Sequence, residues 1–209
     1  MKNIANILLN IKAVTLSPDE PYIWASGIKS PIYCDNRLIL SYPEQRDEVE
    51  EALKNLIADK FKDVEYLMGT ATAGIPHAAI VADKMGLPMG FVRTSKKDHG
   101  KQNKIEGKLK KGAKVVVVED LFSTGGSSIE VALALREAGF DVLGIVSIFT
   151  YNLPKAEENF KLNDIVYYSL TNFEELIEVA HETEYIEESQ IDKLLKWRKD
   201  PSDESWING

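Results

Sequence analysis

Residues 115–127 read V-V-V-V-E-D-L-F-S-T-G-G-S, and the fold is decided there. Four consecutive valines, apolar on both faces, predict a strand buried on both sides, as in a parallel sheet covered by helices. Glu119 and Asp120 follow at its end, then Ser123, Thr124, Gly125, Gly126 and Ser127, immediately before a helical pattern. Amides at a helix N-terminus bind anions through unpaired N–H groups and the helix dipole. Gly125 and Gly126 let the backbone fold around a phosphate, and Ser123, Thr124 and Ser127 add hydroxyl donors. The two carboxylates would repel a phosphate; they suit sugar hydroxyls, or a cation held through water. A phosphorylated sugar meets both demands.

Outward from this stretch, strands and helices alternate. The pattern predicts a strand at 64–68, a helix at 75–85, a strand at 87–92, a polar basic segment at 93–112, a strand at 113–118, a helix at 126–138 and a strand at 142–148. Such alternation predicts an α/β fold: a doubly wound, mainly parallel sheet flanked by helices, in a single domain over residues 1–209. Ligands of such sheets bind beyond the carboxyl ends of the strands, here 69–74, 93 onward, 119–127 and 149–151. Helix 126–138 carries Ile129, Leu133 and Arg136 at turn spacing and stops at Gly139.

The flanks are less regular. Ile4, Ile7, Leu8 and Ile11 predict an opening helix, and residues 22–40 short strands broken by Ser26-Gly27 and Ser30-Pro31. Ser41 with Glu44 predicts a capping box, with Pro43 in the first turn. Val49, Ala52, Leu53, Leu56 and Ile57 form the apolar face of the helix that follows. Beyond residue 153 the pattern predicts a strand at 165–168, a helix capped by Asn172 with Glu175, and a final helix at 191–197. Elements within 1–40, with the C-terminal segment, fit a small hood over the sheet.

The chain has 209 residues, 44% hydrophobic and 28% charged, enough for one good core. No stretch approaches the roughly 20 apolar residues of a membrane span, and Met1-Lys2-Asn3 leads into an amphipathic pattern rather than a signal core. A single cysteine, Cys34, fits a reducing cytoplasm. A net charge of −8 argues against general nucleic-acid binding. Between Arg93 and Lys111, however, eight basic residues face only Asp98 and Glu106, a local balance of +6 that leaves −14 for the remainder. A basic island in an acidic chain points to a local anionic ligand, the alternative being a solvated loop. His77 and His181 read as ordinary surface histidines.

Four segments carry a family resemblance. Residues 115–127 resemble the phosphoribosyl-diphosphate (PRPP) signature of the type I phosphoribosyltransferases. Arg93-Thr94-Ser95-Lys96-Lys97-Asp98-His99-Gly100 resembles the catalytic loop of the orotate phosphoribosyltransferases, and Ser26-Gly27-Ile28-Lys29-Ser30-Pro31 resembles their base-covering segment. Gly69–Gly74 resembles the loop that holds the diphosphate of PRPP; it is not a Walker A loop, because Ile75-Pro76 stands where Lys and Ser/Thr are required.

The resemblance implies transfer of a phosphoribosyl group from PRPP to orotate, with Mg2+ bound through substrate oxygens and water rather than directly by side chains. It implies catalytic roles for Arg93, Lys97, His99 and Asp120. PRPP contacts would come from the first three of these and from Glu119, Asp120, Leu121, Phe122, Ser123, Thr124, Gly125, Gly126, Ser127, Thr72 and Ala73. Orotate contacts would come from Ser123, Lys29, Tyr33 and Arg37. A loop that reaches into a neighbouring subunit implies a homodimer with shared sites. Ala25, Ala73, Thr94 and Thr150-Tyr151 depart from common family positions, so the partner of the orotate carboxylate stays open between Lys29 and Arg37. Another nucleobase as acceptor, or a non-catalytic PRPP sensor, remains an alternative.

Overall fold

A computed structural model describes residues 2–24, 26–93, 104–108 and 110–208. Lys97 and His99, like Ala25 and Thr94, lie outside the described residues. The chain opens with α1 (Lys2–Asn10), then β1 (Val14–Leu16), β2 (Tyr22–Ile23), β3 (Lys29–Ser30), β4 (Ile32–Cys34) and a 3-10 turn (Asn36–Ser41). Next come α2 (Pro43–Lys60), β5 (Tyr66–Thr70), α3 (Gly74–Met85), β6 (Met89–Val92), β7 (Ile105–Glu106), β8 (Lys114–Phe122), α4 (Gly126–Glu137) and β9 (Asp141–Thr150). The chain finishes with α5 (Pro154–Leu162), β10 (Tyr167–Asn172), α6 (Phe173–Glu182), α7 (Glu188–Lys199) and a 3-10 turn (Ser205–Asn208).

Among the described residues the main sheet runs β10-β9-β8-β5-β6-β7. All pairings are parallel except β6 with β7, where Phe91 faces Glu106 and Val92 faces Ile105. This is the expected doubly wound sheet, with a short antiparallel edge formed inside the basic segment, where sequence showed only polarity. The four valines are fully buried and alternate between two cores. Val116 and Val118 join α1, α2, α3, α6 and α7 on one face, whereas Val115 and Val117 join α4 and α5 on the other. Two small antiparallel pairs, β1 with β4 and β2 with β3, lie apart from the main sheet.

Several local expectations are corrected. Ser41 does not cap α2: it sits inside the 3-10 turn, the cap position is Tyr42, and no side chain bonds there, while Pro43 fills the first turn as expected. In α4 the buried side is Ser128, Ile129, Val131, Ala132 and Leu135, and Leu133 is 43% exposed, because the helix packs a broader stripe than the turn spacing marked. His77 is not a surface residue; it is fully buried, with Nδ1 2.6 Å from the buried Glu50 carboxylate on α2. Asn172 caps α6 as expected, its side chain accepting from the Glu175 N–H at 3.0 Å.

Candidate active site

The strand expected to stop at residue 118 runs on to Phe122. The neighbouring β9 continues to Thr150, so Glu119 pairs with Ser147, Leu121 with Phe149 and Phe122 with Thr150. On the other side β5 is last paired at Gly69 with Val118, after which the chain turns away into α3. Glu119 and Asp120 therefore sit within a strand that is supported on one side and open on the other.

Their environments differ. Glu119 is 5% exposed; it accepts from Ser128 Oγ at 3.0 Å and from the Asp120 N–H at 3.1 Å. Burial, and then the neighbouring Asp120 charge, push its carboxyl up to about 8. Asp120 is only half-buried, and its backbone carbonyl accepts from Asn36 Nδ2 at 2.7 Å. The inner acid is thus tied to the first turn of α4, and the outer one stays half-exposed.

The turn after β8 is shaped by a left-handed glycine and by contacts from α5. Gly125 has φ +76°, a left-handed conformation, and a Cβ there would lie 2.8 Å from the ring of the buried Phe160 on α5. Asn159, also on α5, donates to the Thr124 carbonyl at 2.9 Å, and the Gly125 carbonyl accepts from the Ile129 N–H at 2.9 Å. The result is a cavity of about 220 Å³ lined by residues 119–121 and 123–127, at the N-terminus of α4. Phe122 faces away, its ring packed against Phe160 at 5.1 Å and Tyr167 at 5.8 Å.

Two further strand ends converge here. The loop after β5 is pressed against β8: a Cβ at Gly74 would collide with the Val118 carbonyl, and one at Gly69 would lie 2.8 Å from Ile75 Cα. This places exposed Thr72 and half-buried Ala73 beside the carboxyl end of β8. Arg93, just after β6, lines a groove with Lys104, Ser127 and Glu130, so it borders the glycine turn. Its N–H donates to the Lys104 carbonyl at 2.8 Å and its Nη2 pairs with Glu106 at 2.8 Å.

The expected base-covering residues are occupied by partners from the chain itself. Lys29 Nζ is 2.8 Å from Glu204, and its carbonyl accepts from Trp197 Nε1 at 3.2 Å. Arg37 grips Asp35 with two bonds of 2.6 and 2.9 Å, which lower the Asp35 pKa. Tyr33 is 46% exposed, its ring tilted against Tyr22. Thr150 is buried and accepts from the Asn152 N–H at 3.1 Å, while the Tyr151 ring packs beneath Trp24 and Trp197. Sequence reasoning missed Asn36, Ser128 and Asn159. Only Ser128, adjoining the S-T-G-G-S run, carried a local signal.

Residues 38–184 match the phosphoribosyl transferase domain family. A Bacillus pumilus protein named orotate phosphoribosyltransferase is 60% identical over 204 residues, covering 98% of this chain and 96% of its own length. The chain belongs to the orotate phosphoribosyltransferase family. A second member, from Staphylococcus saprophyticus, is 58% identical over 197 residues, 94% of this chain and 97% of that protein. In fold, the family member from Aeropyrum pernix superposes with a TM-score of 0.75 at 24% identity, covering 88% of this chain and 99% of that structure. Family membership thus rests on the near relatives, and the distant structure supports the architecture of the sheet and its connections.

Proposed function

We propose that this enzyme transfers the 5-phosphoribosyl group from PRPP to orotate, forming orotidine 5′-phosphate and diphosphate in pyrimidine nucleotide synthesis. One observation carries the reading: the glycine turn at the N-terminus of α4 shares a cavity with Glu119 and Asp120. That pairing suits a 5′-phosphate and ribose hydroxyls on one ligand. In the reaction the bond from ribose C1 to the diphosphate oxygen breaks, a bond from C1 to a ring nitrogen of orotate forms, and the N–H bond of that nitrogen breaks, its proton leaving with the diphosphate.

Residues 123–127 would seat the phosphate. Asp120 would accept from the ribose hydroxyls and steady the positive charge that develops at C1; Glu119 would hold the strand end in place through Ser128. Thr72 and Ala73 would approach the diphosphate, and Arg93, Lys97 and His99 would balance its charge as it leaves, with His99 as a proton donor. Loss of one such preorganised charge commonly costs about 3–4 kcal/mol of barrier stabilisation. Mg2+ would supply further charge neutralisation; as a hard cation that keeps water ligands, it suits a site whose half-exposed Asp120 can reach those waters. Among the described residues no cluster of three or more His, Cys, Asp or Glu could hold a metal alone.

Lys29 and Tyr33 would meet the base, with Lys29 exchanging Glu204 for the orotate carboxylate. The same reading places the protein in the cytoplasm as a homodimer with shared sites. Orotate absorbance should fall when PRPP and Mg2+ are added to the protein. No fall, with PRPP binding intact, would reject orotate as acceptor; no PRPP binding would reject the whole reading.

A further inference from the structure

Beyond Val118, β8 has lost its β5 neighbour, so the main chain of Asp120 cannot be satisfied by a strand on that side. Two side chains take over. The Asp120 N–H donates to Glu119 Oε1 at 3.1 Å, and its carbonyl accepts from Asn36 Nδ2 at 2.7 Å. Asn36 is 1% exposed, so the donor side of the bond is buried, while Asp120 is half-buried. The amide orientation is fixed by chemistry, because a flipped group would set two acceptor oxygens 2.7 Å apart.

Asn36 is itself held on both sides. The Asp35 N–H donates to the Ala13 carbonyl at 2.7 Å, and Asp35 Oδ1 accepts from the Arg37 N–H at 3.2 Å. Just upstream, β4 leads back to Lys29 and Tyr33. Among the described residues, Asn36 makes the only hydrogen bond that joins the segment 11–42 to residues 115–127.

We propose that Asn36 is a positioning residue, which fixes the Asp120 peptide at the ribose subsite and links the seating of the base-covering segment to it. Without the donor, a half-buried carbonyl loses its partner on the unsupported edge of β8, and the Asp120 carboxylate shifts relative to the phosphate turn. The phosphate turn has its own supports in Asn159 and α4, and the diphosphate loop is braced by Gly74 against β8. Damage should therefore fall on the ribose contact and spare the phosphate turn and the diphosphate loop.

The inference rests on the assignment of Asp120 to the ribose hydroxyls, and inhibition by ribose 5-phosphate and by diphosphate separates the two. In Asn36→Ala, the inhibition constant of ribose 5-phosphate should rise about tenfold, the worth of one buried hydrogen bond, and that of diphosphate should stay unchanged. Asn36→Ser, which can donate through its hydroxyl, should restore part of the loss and provides the folded comparison if the alanine variant does not fold. Unchanged constants, or equal shifts for both inhibitors, would overturn the role of Asn36. If Asp120→Asn leaves ribose 5-phosphate inhibition unchanged, it is the ribose assignment that fails; if Asp120→Asn weakens it and Asn36→Ala does not, only the inference about Asn36 fails.

Discussion

Alanine at Gly125 should be far more costly than alanine at Gly126, although the two glycines are adjacent in the same turn. The Gly125 backbone has φ +76°, which costs an L-residue about 1–2 kcal/mol. Its new Cβ would also lie 2.8 Å from two carbons of the Phe160 ring. That ring is fully buried and stacked on Tyr167 at a centroid distance of 4.1 Å, so it has little room to retreat. Overpacking of this kind costs about 1–3 kcal/mol, so the total is roughly 2–5 kcal/mol. At Gly126 the nearest atom to a new Cβ is Thr124 Oγ1 at 3.9 Å, an ordinary contact, and the change should stay within about 0.5 kcal/mol. Urea denaturation of both variants measures the difference directly. A double-mutant cycle with Phe160→Leu divides the Gly125 cost, since the steric part should be recovered and the dihedral part should not. Equal costs at the two glycines, or no coupling to Phe160, would refute the reasoning.

Three other outcomes follow from the same geometry. The Glu119 carboxyl titrates near 8 in the folded chain against 4.5 for the free group, so the folded state binds more protons between those values and stability falls as pH rises through that window. Glu119→Gln removes this dependence, and in urea melts its stability relative to wild type should increase from pH 5 to pH 8; a constant difference would contradict the buried, raised carboxyl. His77→Leu strands the buried Glu50 carboxylate and should cost about 3–5 kcal/mol, most of it regained in Glu50→Leu/His77→Leu by calorimetric melting, whereas additive losses would argue against a buried pair. Glu204→Gln frees the Lys29 ammonium and should lower the orotate KM about two- to fivefold, the scale of an exposed ion pair, with the PRPP KM unchanged; a higher orotate KM would dismiss the exchange.

The centre of the fold was legible because its signals are local. Val115 to Val118 announce a doubly covered strand without reference to any partner, and Gly125 and Gly126 mark the turn through backbone freedom alone. What stayed hidden depends on distant residues. The strand runs past Val118 to Phe122 because β9 is long enough to pair with Glu119, Leu121 and Phe122. β1 and β7 are too short to show a period. In α5, Ala156 and Phe160 are the buried positions of a nine-residue helix, too little apolar surface to stand out in sequence. His77 could not be told from a surface histidine, since its partner Glu50 lies 27 residues away on another helix. Asn36 likewise acquires meaning only across 84 residues, where the 3-10 turn meets the open edge of β8.

The chain's three tryptophans are Trp24, Trp197 and Trp206, and none lies in the turn after β8 or the loop after β5. Trp24 and Trp197 meet edge to face at 5.6 Å, Trp197 is bonded to the Lys29 carbonyl, and Trp206 follows Glu204 by two residues. Intrinsic fluorescence is therefore a built-in optical gauge of the surroundings of Lys29, the residue proposed to meet the base. If orotate displaces Glu204 from Lys29 as proposed, emission should respond to orotate and stay nearly silent to PRPP, so the order in which the two substrates settle can be followed without attaching a dye.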